Sequence, residues 1–322
     1  MRSAIRVLLV SASFAPEQTG TGPYSGELAA GLAERGAEVE VLTLPPHFPA
    51  WKVEPGDRVA GLDRVETTPE GARVHRLRGY VPGKPDAARR LAFEAVFAAG
   101  ASLASLGLRR PDVVVVVSPP LLSVPAAQAM AARWRVPCLL HIQDLVPGVA
   151  AASGLVSSSA LLRLAARLEQ AAYRRADRIS VISPGFAGHL DALGFGDKAV
   201  VLPNWVRAED RRDGRRRPKL RKELGVGEEE FAAVYSGTIS RKQGVELLLA
   251  AGAHPGAHGL RLLAVGEGAG PCWRPAWPAA RPQPSPSSPS SPASWSRTCS
   301  PAATPPCSRS SRGWARPPCR AS

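Results

Sequence analysis

The chain has 322 residues, with 41 Lys and Arg against 27 Asp and Glu, so its formal net charge is +14 at pH 7. All 27 acidic residues lie in 1–270, which carry a net charge of +7. Residues 271–322 contain seven Arg, 13 Pro and no Leu, Ile, Val, Phe, Met or Tyr. A segment without large aliphatic side chains cannot bury a core, which excludes a folded domain there and leaves 270 residues to carry the fold.

Cysteine use and apolar runs narrow the class of protein. Cys138 is the only thiol in 1–270 and lies in an apolar run typical of a buried strand, which fits a reduced cytoplasmic protein. The four later cysteines are irregularly spaced without His partners, so they do not predict a zinc site. The first apolar run is too short for a signal peptide. The longest, Leu91–Leu108, contains Glu94, which favours a buried or surface-lying helix over a membrane span.

Strand and helix patterns alternate along the first 203 residues. In chain order they are strand Ile5–Val10, helix Tyr24–Glu34, strand Glu38–Leu44, strand Arg73–Arg78, helix Ala87–Leu108, strand Asp112–Val117, helix Leu121–Trp134, strand Cys138–Ile142, helix Ala160–Arg174, strand Arg178–Ile182, helix Ser183–Leu193 and strand Val200–Leu202. The alternation predicts an α/β domain over 1–203. Its parallel sheet is covered on both faces, and ligands bind at the carboxyl ends of the strands.

A second α/β unit is predicted for 204–270. It consists of strand Phe231–Tyr235, helix Val245–Ala251 and strand Leu260–Val265, which is a truncated Rossmann-like half. The basic run Arg211–Lys222 precedes it. This run has no interleaved aromatic residues and acidic residues follow it, so a solvated linker or helix face is favoured over a nucleic-acid patch.

Three strand-to-helix loops could carry chemistry. In Gly20-Thr21-Gly22 the backbone can approach a ligand closely, and the next helix N-terminus favours an anion. The alternative is a plain tight turn, and the spacing is not that of a dinucleotide-binding loop. The loop Gly237–Gly244 places Arg241 and Lys242 before a helix, which suits a diphosphate. The alternative to diphosphate binding is that Arg241 and Lys242 are two solvated surface charges.

The third loop follows a buried strand. His141, Gln143 and Asp144 stand at the strand's carboxyl end, where α/β proteins place titratable groups that act in catalysis. The alternative for His141 is a structural histidine whose hydrogen bonds are satisfied inside the protein.

Seven blocks in order resemble family 4 glycosyltransferases of GT-B fold, in the branch that assembles colanic acid, O-antigen and related bacterial polysaccharides. The blocks are Ser11–Gly20, Pro46–Trp51, Pro111–Pro120, His141–Leu145, Ala176–Ser183, Val201–Val206 and Tyr235–Gly244. The resemblance runs from about Ile5 to Gly268.

The resemblance implies two facing Rossmann-like domains, an acceptor on the first and a nucleotide-sugar donor on the second, with no metal and no cofactor. Gly20, Thr21 and Gly22 would lie against the donor phosphates, as would Gly237, Arg241, Lys242 and Gly244. His47 and Trp51 would line the acceptor side. His141 and Asp144 would face the transferred sugar as catalytic residues.

The sequence departs from the family pattern in several places. Gln143 stands where many members have His, and Thr238 and Gln243 replace the usual Arg and Lys. The two Glu of the family's donor half are absent, because 271–322 contain no Glu. The hypothesis is a frameshift or gene-model error after Gly268, and the alternative is a genuine disordered Pro/Ser tail.

The sequence therefore predicts a cytoplasmic glycosyltransferase that moves a sugar to a lipid-linked saccharide acceptor, inactive as written because its donor domain is incomplete. A basic group before the Ala-rich helix could attract an anionic membrane, with a solvated face as the alternative. This basic group comprises Arg73, Arg76, Arg78, Lys84, Arg89 and Arg90. The other function considered is a non-catalytic Rossmann-like binding or partner module. No nucleic-acid partner is expected.

Overall fold

A computed structural model describes residues 4–83, 86–145, 159–206, 218–237, 239, 243–254 and 256–266. The chain divides into two compact units, Met1–Arg212 and Asp213–Ser322. Residues 204–206, which the sequence assigns to the second domain, belong to the first unit. The predictions for Lys84, for 211–217 and for 271–322 lie outside the described residues.

The first unit alternates strands and helices as predicted. In chain order its elements are β1 (Arg6–Val10), α1 (Gly22–Glu34), β2 (Glu38–Thr43), β3 (Asp63–Thr67), β4 (Arg73–Leu77), α2 (Ala87–Ala104), β5 (Val113–Ser118), α3 (Ser123–Trp134), β6 (Cys138–Ile142), α4 (Ser159–Arg175), β7 (Arg178–Val181), α5 (Pro184–Ala192) and β8 (Ala199–Val201). Among the predicted elements, the largest difference in bounds is at the end of α2, which closes in a 3₁₀ turn at Ser105–Gly107.

The strands form one sheet in the order β3-β4-β2-β1-β5-β6-β7-β8. Neighbouring strands are parallel except for β3 and β4, which confirms the predicted parallel sheet. The sequence did not predict β3, because Val65 is the only large apolar residue in Asp63–Thr67. An edge strand pairs on one side only and therefore needs few buried side chains.

Hydrophobic side chains cover both faces of the sheet. On one face α2, α3, α4 and α5 contribute Phe97, Met130, Tyr173 and Leu190 to a single core cluster. On the other face α1 packs against the sheet around Ala29. A parallel sheet covered on both sides needs apolar residues on both faces of each strand, which explains the unbroken run of valines in β5.

Helix α2 has one face in this core. Phe93, Phe97 and Ala101 are buried, and the helix packs against β2, β4 and α3. By length and composition alone, Ala87–Gly107 is long and apolar enough to cross a membrane, and it is the one such helix among the residues described. Only 22% of that window is buried. The helix therefore lies on the surface of the first unit, with its outer face exposed.

The arginines of β4 differ from the predicted basic group. Arg76 is buried, donates to Glu66 Oε1 at 2.8 Å and also donates to the carbonyl oxygens of Leu44 and Ala15. A guanidinium held in this way cannot contact a lipid headgroup, so the inclusion of Arg76 in a membrane-attracting surface was wrong.

The second unit contains α6 (Pro218–Glu223), β9 (Phe231–Ser236), α7 (Val245–Gly252) and β10 (Leu260–Val265). The two strands are parallel and α7 connects them, which confirms the predicted β-α-β order. Arg261 pairs with Glu230 at 3.1 Å across the start of the strand pair.

We predict that Phe97→Ala destabilises the first unit by about 3–5 kcal/mol, because Phe97 is 1% exposed and its removal leaves a cavity. Chemical denaturation measures the loss. The matched control is its neighbour Val96→Ala, a residue 40% exposed, for which a change within about 0.5 kcal/mol is expected. Equal losses in the two variants would contradict the packing described for α2.

Candidate functional site at the carboxyl edge of the first sheet

Loops that follow the parallel strands of the first unit lie at the carboxyl edge of the sheet, where α/β proteins bind ligands. Gly20–Gly22 follow β1, His47–Trp51 follow β2, Gln143–Asp144 follow β6, and Asn204 follows β8. The structure brings these into two groups in contact: the first two loops meet each other, and Gln143 meets Asn204.

The glycine loop after β1 packs against protein atoms. A Cβ built on Gly22 would lie 2.7 Å from Glu17 Cβ and 2.9 Å from Glu17 Oε2. Gly20 has a φ of +69°, and a Cβ there would lie 3.1 Å from the Phe48 ring. Both glycines are therefore required for packing within the protein, as in the tight-turn alternative. The side chain of Thr21 does not cap α1, and anion binding by the helix N-terminus stays a prediction.

Glu17 joins the glycine loop to the loop after β2. Its Oε1 accepts hydrogen bonds from the backbone N–H groups of His47 at 2.8 Å and Phe48 at 3.0 Å. Its side chain is 1% exposed, and Oε2 has no hydrogen-bond partner among the described residues. A buried carboxylate thus sets the spacing of the two loops, because two backbone donors depend on it.

The two residues predicted on the acceptor side, His47 and Trp51, belong to an aromatic cluster. The Phe93 ring from α2 lies 5.3 Å from the His47 ring and 5.4 Å from the Trp51 ring, and the Arg90 guanidinium lies 5.2 Å from the Trp51 ring centre. His47 is buried and its Nδ1 lies 2.9 Å from the carbonyl oxygen of Pro45, whereas Trp51 is half-buried. Of the two, Trp51 presents surface to a ligand.

His141 is the centre of a buried polar network. Its Nδ1 lies 2.8 Å from Ser180 Oγ, and its Nε2 lies 2.7 Å from Gln143 Nε2. The Gln143 amide also exchanges two hydrogen bonds with the Asn204 amide, at 3.0 and 2.9 Å. Since an amide nitrogen only donates, His141 Nε2 accepts and the ring proton lies on Nδ1 toward Ser180.

Burial lowers the pKa of His141 to about 4, so the ring is neutral at pH 7. Its side chain has both nitrogens engaged and is 4% exposed. The geometry therefore gives His141 a positioning role toward Gln143, which precedes the half-buried Asp144 at the edge of the sheet. Direct participation of His141 in catalysis stays a prediction.

The segment after β8 is anchored on α1. Trp205 Nε1 donates to Glu27 Oε2, and the Trp205 ring meets the Tyr24 ring edge-on at 5.9 Å. The Trp205 contacts hold the segment against α1, and the Gln143–Asn204 pair holds it against the loop after β6.

In the second unit, Gly237 follows β9 and Gly244 directly precedes α7, as the diphosphate interpretation requires. Arg241 and Lys242 lie outside the described residues. No group of three His, Cys, Asp or Glu side chains that could hold a metal ion occurs in the described part of the chain. Cys138 is a free, buried thiol whose pKa burial raises to about 12.

Sequence reasoning missed Glu17, Ser180 and the Glu27–Trp205 contact as members of this edge. Two signals were available. Glu17 is a lone acid beside the glycine loop, and Ser180 is a polar residue in a strand whose neighbours are apolar. A polar side chain at a buried strand position usually has a specific partner.

Comparisons with known proteins identify the family of the chain. The family described as glycosyl transferase 4-like domain matches residues 19–205, which include every edge loop from Gly20 to Trp205. The chain is 30% identical over 275 residues to WcaI of Escherichia coli (strain K12), a protein named for colanic acid biosynthesis as a glycosyl transferase. That match covers 83% of this chain and 67% of WcaI.

The fold, the edge loops and these matches define a glycosyltransferase of the GT-B class. The chain belongs to the glycosyl transferase 4-like family, as the seven sequence blocks predict, in the branch that makes bacterial polysaccharides.

Solved structures with similar folds include HepE of Anabaena in complex with UDP-glucose, at 16% identity and a TM-score of 0.47. The match covers 82% of this chain and 61% of HepE. UGT89C1 of Arabidopsis thaliana, complexed with UDP-L-rhamnose, is 14% identical with a TM-score of 0.46, covering 81% and 70%. The chain thus spans less than two thirds of HepE.

We predict that Glu17→Ala destabilises the first unit by about 2–4 kcal/mol, because the N–H groups of His47 and Phe48 lose their buried acceptor. Thermal unfolding checks the loss. Gln18→Ala, at the exposed neighbouring position, is the control and should change stability little. A Glu17→Ala variant as stable as the control would show that the carboxylate does not join the loops.

The lowered pKa of His141 predicts a pH dependence of stability. The unfolded ring, with an ordinary pKa near 6.5, binds a proton that the folded ring with a pKa of about 4 does not. Stability from this group is therefore complete above pH 6.5 and is lost as the pH falls toward 4. Between pH 7.5 and pH 5 the loss is about 2 kcal/mol.

Urea unfolding at the two pH values measures this term. His141→Gln should remove most of the difference, whereas His258→Gln, at an exposed position, should retain it. If His141→Gln keeps the full pH dependence, another group is responsible.

Proposed function

We propose that the protein transfers a sugar from a nucleotide-sugar donor to a lipid-linked saccharide acceptor in the synthesis of a bacterial surface polysaccharide. The observation that carries the proposal is the family match over residues 19–205, because it covers the whole carboxyl edge of the first sheet. The relation to WcaI supports polysaccharide synthesis as the setting.

On this proposal helix N-termini and basic side chains bind the donor diphosphate. In the first unit the candidate groups are the amides at the start of α1, after Gly20, Thr21 and Gly22. In the second unit they are Gly237, Gly244 and the basic pair Arg241 and Lys242. Helix N-termini and cationic side chains stabilise the negative charge that develops as a nucleoside diphosphate leaves, so no metal is needed for that step.

The transferred sugar lies at the end of β6 in this proposal. Asp144 faces the sugar and stabilises the positive charge that develops on it as the glycosidic bond to the phosphate breaks. His141, kept neutral by burial, positions Gln143, the residue that precedes Asp144 in the chain. The Gln143–Asn204 amide pair supports Gln143 from the loop after β8.

The acceptor approaches over Trp51, whose ring is half-buried and backed by Phe93. A flat aromatic surface beside an arginine suits a saccharide, since sugar C–H groups pack on rings and hydroxyl groups bond to guanidinium. The lipid part of the acceptor places the reaction at the inner face of the cell membrane.

We further propose that the 322-residue chain has little or no turnover, because 271–322 contain neither Glu nor large aliphatic side chains to complete a donor domain. The test compares this chain with a chain whose residues after Gly268 come from the alternative reading frame. Both are screened for binding and transfer with UDP-, GDP-, ADP- and TDP-linked sugars. Transfer by the frame-corrected chain alone is expected.

Two results contradict the proposal in different ways. Turnover by the 322-residue chain would disprove the proposed inactivity. Failure of both chains to bind any nucleotide sugar in calorimetry would favour a partner module without transferase activity.

In an active frame-corrected chain, Asp144→Asn should lower kcat at least a hundredfold with little change in donor affinity, since it removes charge needed only in the transition state. The control is Asp191→Asn at an exposed position on α5, which should retain full activity. Unchanged kcat in Asp144→Asn would exclude this residue from the chemistry.

A further inference from the structure

Strand β3 forms one edge of the first sheet. In the described part of the chain it pairs with β4 alone and ends the strand order on that side. Val65, at its centre, is 48% exposed, and Asp63–Thr67 contain no proline. The outer edge of such a strand carries backbone N–H and C=O groups that another strand can pair with.

Two backbone hydrogen bonds show which residues of β3 face outward. Arg78 N donates to Leu62 O, and Thr68 N donates to Ala72 O, each at 2.9 Å. Along an antiparallel strand, the residues that exchange hydrogen bonds with one neighbour alternate with those whose N–H and C=O point away from it. The even-numbered residues from 62 to 68 therefore bond to β4.

The N–H and C=O groups of Asp63, Val65 and Thr67 consequently point away from β4, toward the outer side of the sheet. These three residues are symmetric about Val65. A second β3 that runs antiparallel to the first, on a two-fold axis at Val65, places Val65 beside the partner's Val65 and Asp63 beside the partner's Thr67. Every outward backbone group then has a partner.

The charges of β3 match in the same arrangement. Arg64 stands opposite the partner's Glu66, and the symmetry repeats this pair on the other side of the axis. Both side chains are 38% exposed, although each already has contacts within the chain. Glu66 Oε1 accepts from Arg76 at 2.8 Å, and Arg64 Nη2 lies 3.7 Å from Glu66 Oε2 and 3.5 Å from Asp57 Oδ1.

Neighbouring registers bring like charges together. Sliding the second strand by two residues in one direction places Arg64 opposite the partner's Arg64. Sliding it by two residues in the other direction places Glu66 opposite the partner's Glu66. Like charges directly opposite each other destabilise a strand pair, so the charges select the register centred on Val65.

We propose that β3 pairs with β3 of a second copy of this chain, antiparallel and centred on Val65, so that the two sheets form one continuous sheet. A strand of another protein can form the same backbone hydrogen bonds. A second β3 also returns both charges in register, which is why the occupant is a second copy.

The inference is independent of the proposed function. The loops of the candidate site follow β1, β2, β6 and β8, and none of these strands takes part in the contact. The self-association of the chain therefore tests the strand pairing without any sugar donor, and its outcome is distinct from that of the transferase assay.

Sedimentation equilibrium of the full 322-residue chain, at concentrations from about 1 µM to about 1 mM, measures the association. We expect a monomer–dimer equilibrium that added salt shifts toward monomer, because the two Arg64–Glu66 pairs between copies are exposed at the sheet edge.

The first variant is Val65→Pro. It removes an N–H that points away from β4, so the hydrogen bonds between β3 and β4 remain, whereas both central bonds between copies are lost. The dimer should weaken by about tenfold or more. The matched control is Val201→Pro on β8, the edge strand at the other end of the sheet, which should leave the dimer unchanged.

A charge pair at Thr67 separates loss of the contact from misfolding. Thr67 is exposed, and its neighbour on β4 is Arg73. Thr67→Glu suits Arg73 within the chain but faces the partner's Asp63, so the dimer should weaken roughly threefold to tenfold. Thr67→Lys faces the same carboxylate with a positive charge and should tighten the dimer by a similar factor.

Three results would overturn the proposal. The first is a native chain that stays monomeric over the whole concentration range. The second is a dimer that Val65→Pro and Val201→Pro weaken equally, or that neither weakens. The third is a shift of the equilibrium in the same direction by Thr67→Glu and Thr67→Lys.

Discussion

The central parallel strands β1 and β5 are buried on both faces, and this constrains everything around them. Leu9, Val10 and Val116 have no exposed surface. Polar side chains that could meet a ligand can therefore stand only at the ends of these two strands. All the parallel strands end at the same edge, and their loops crowd there. The polar groups of those loops are themselves partly buried and must find partners inside the protein.

The carboxyl edge meets this requirement with two different buried groups. Glu17, an acid, accepts from the backbone of the loop after β2. His141, a neutral ring, accepts from Gln143, which in turn pairs with Asn204. Each group sets the position of neighbouring loop residues, and neither side chain is exposed to solvent. The half-buried Trp51 and Asp144 stand in the loops that these buried groups support.

The same helix serves the core and the surface. The inner face of α2 supplies Phe93 and Phe97 to the core and to the aromatic cluster, while its outer face exposes Leu91 and Leu103. In sequence the two faces are hard to separate, because Ala and Leu occupy both. This is why the apolar run between Leu91 and Leu108 alone could not distinguish a core helix from one that contacts a membrane.

The sequence by itself determined the order of strands and helices, the parallel sheet and the family, because apolar runs and strand-end loops are local and keep their order along the chain. The tertiary structure decided which polar residues act together. Glu17 and His47 are 30 positions apart, and Gln143 and Asn204 are 61 apart. The tertiary structure also decided that Arg76 is buried and that Leu91 and Leu103 of α2 are exposed. Such pairings depend on how loops from different strands meet at one edge, and no periodicity in the chain encodes that.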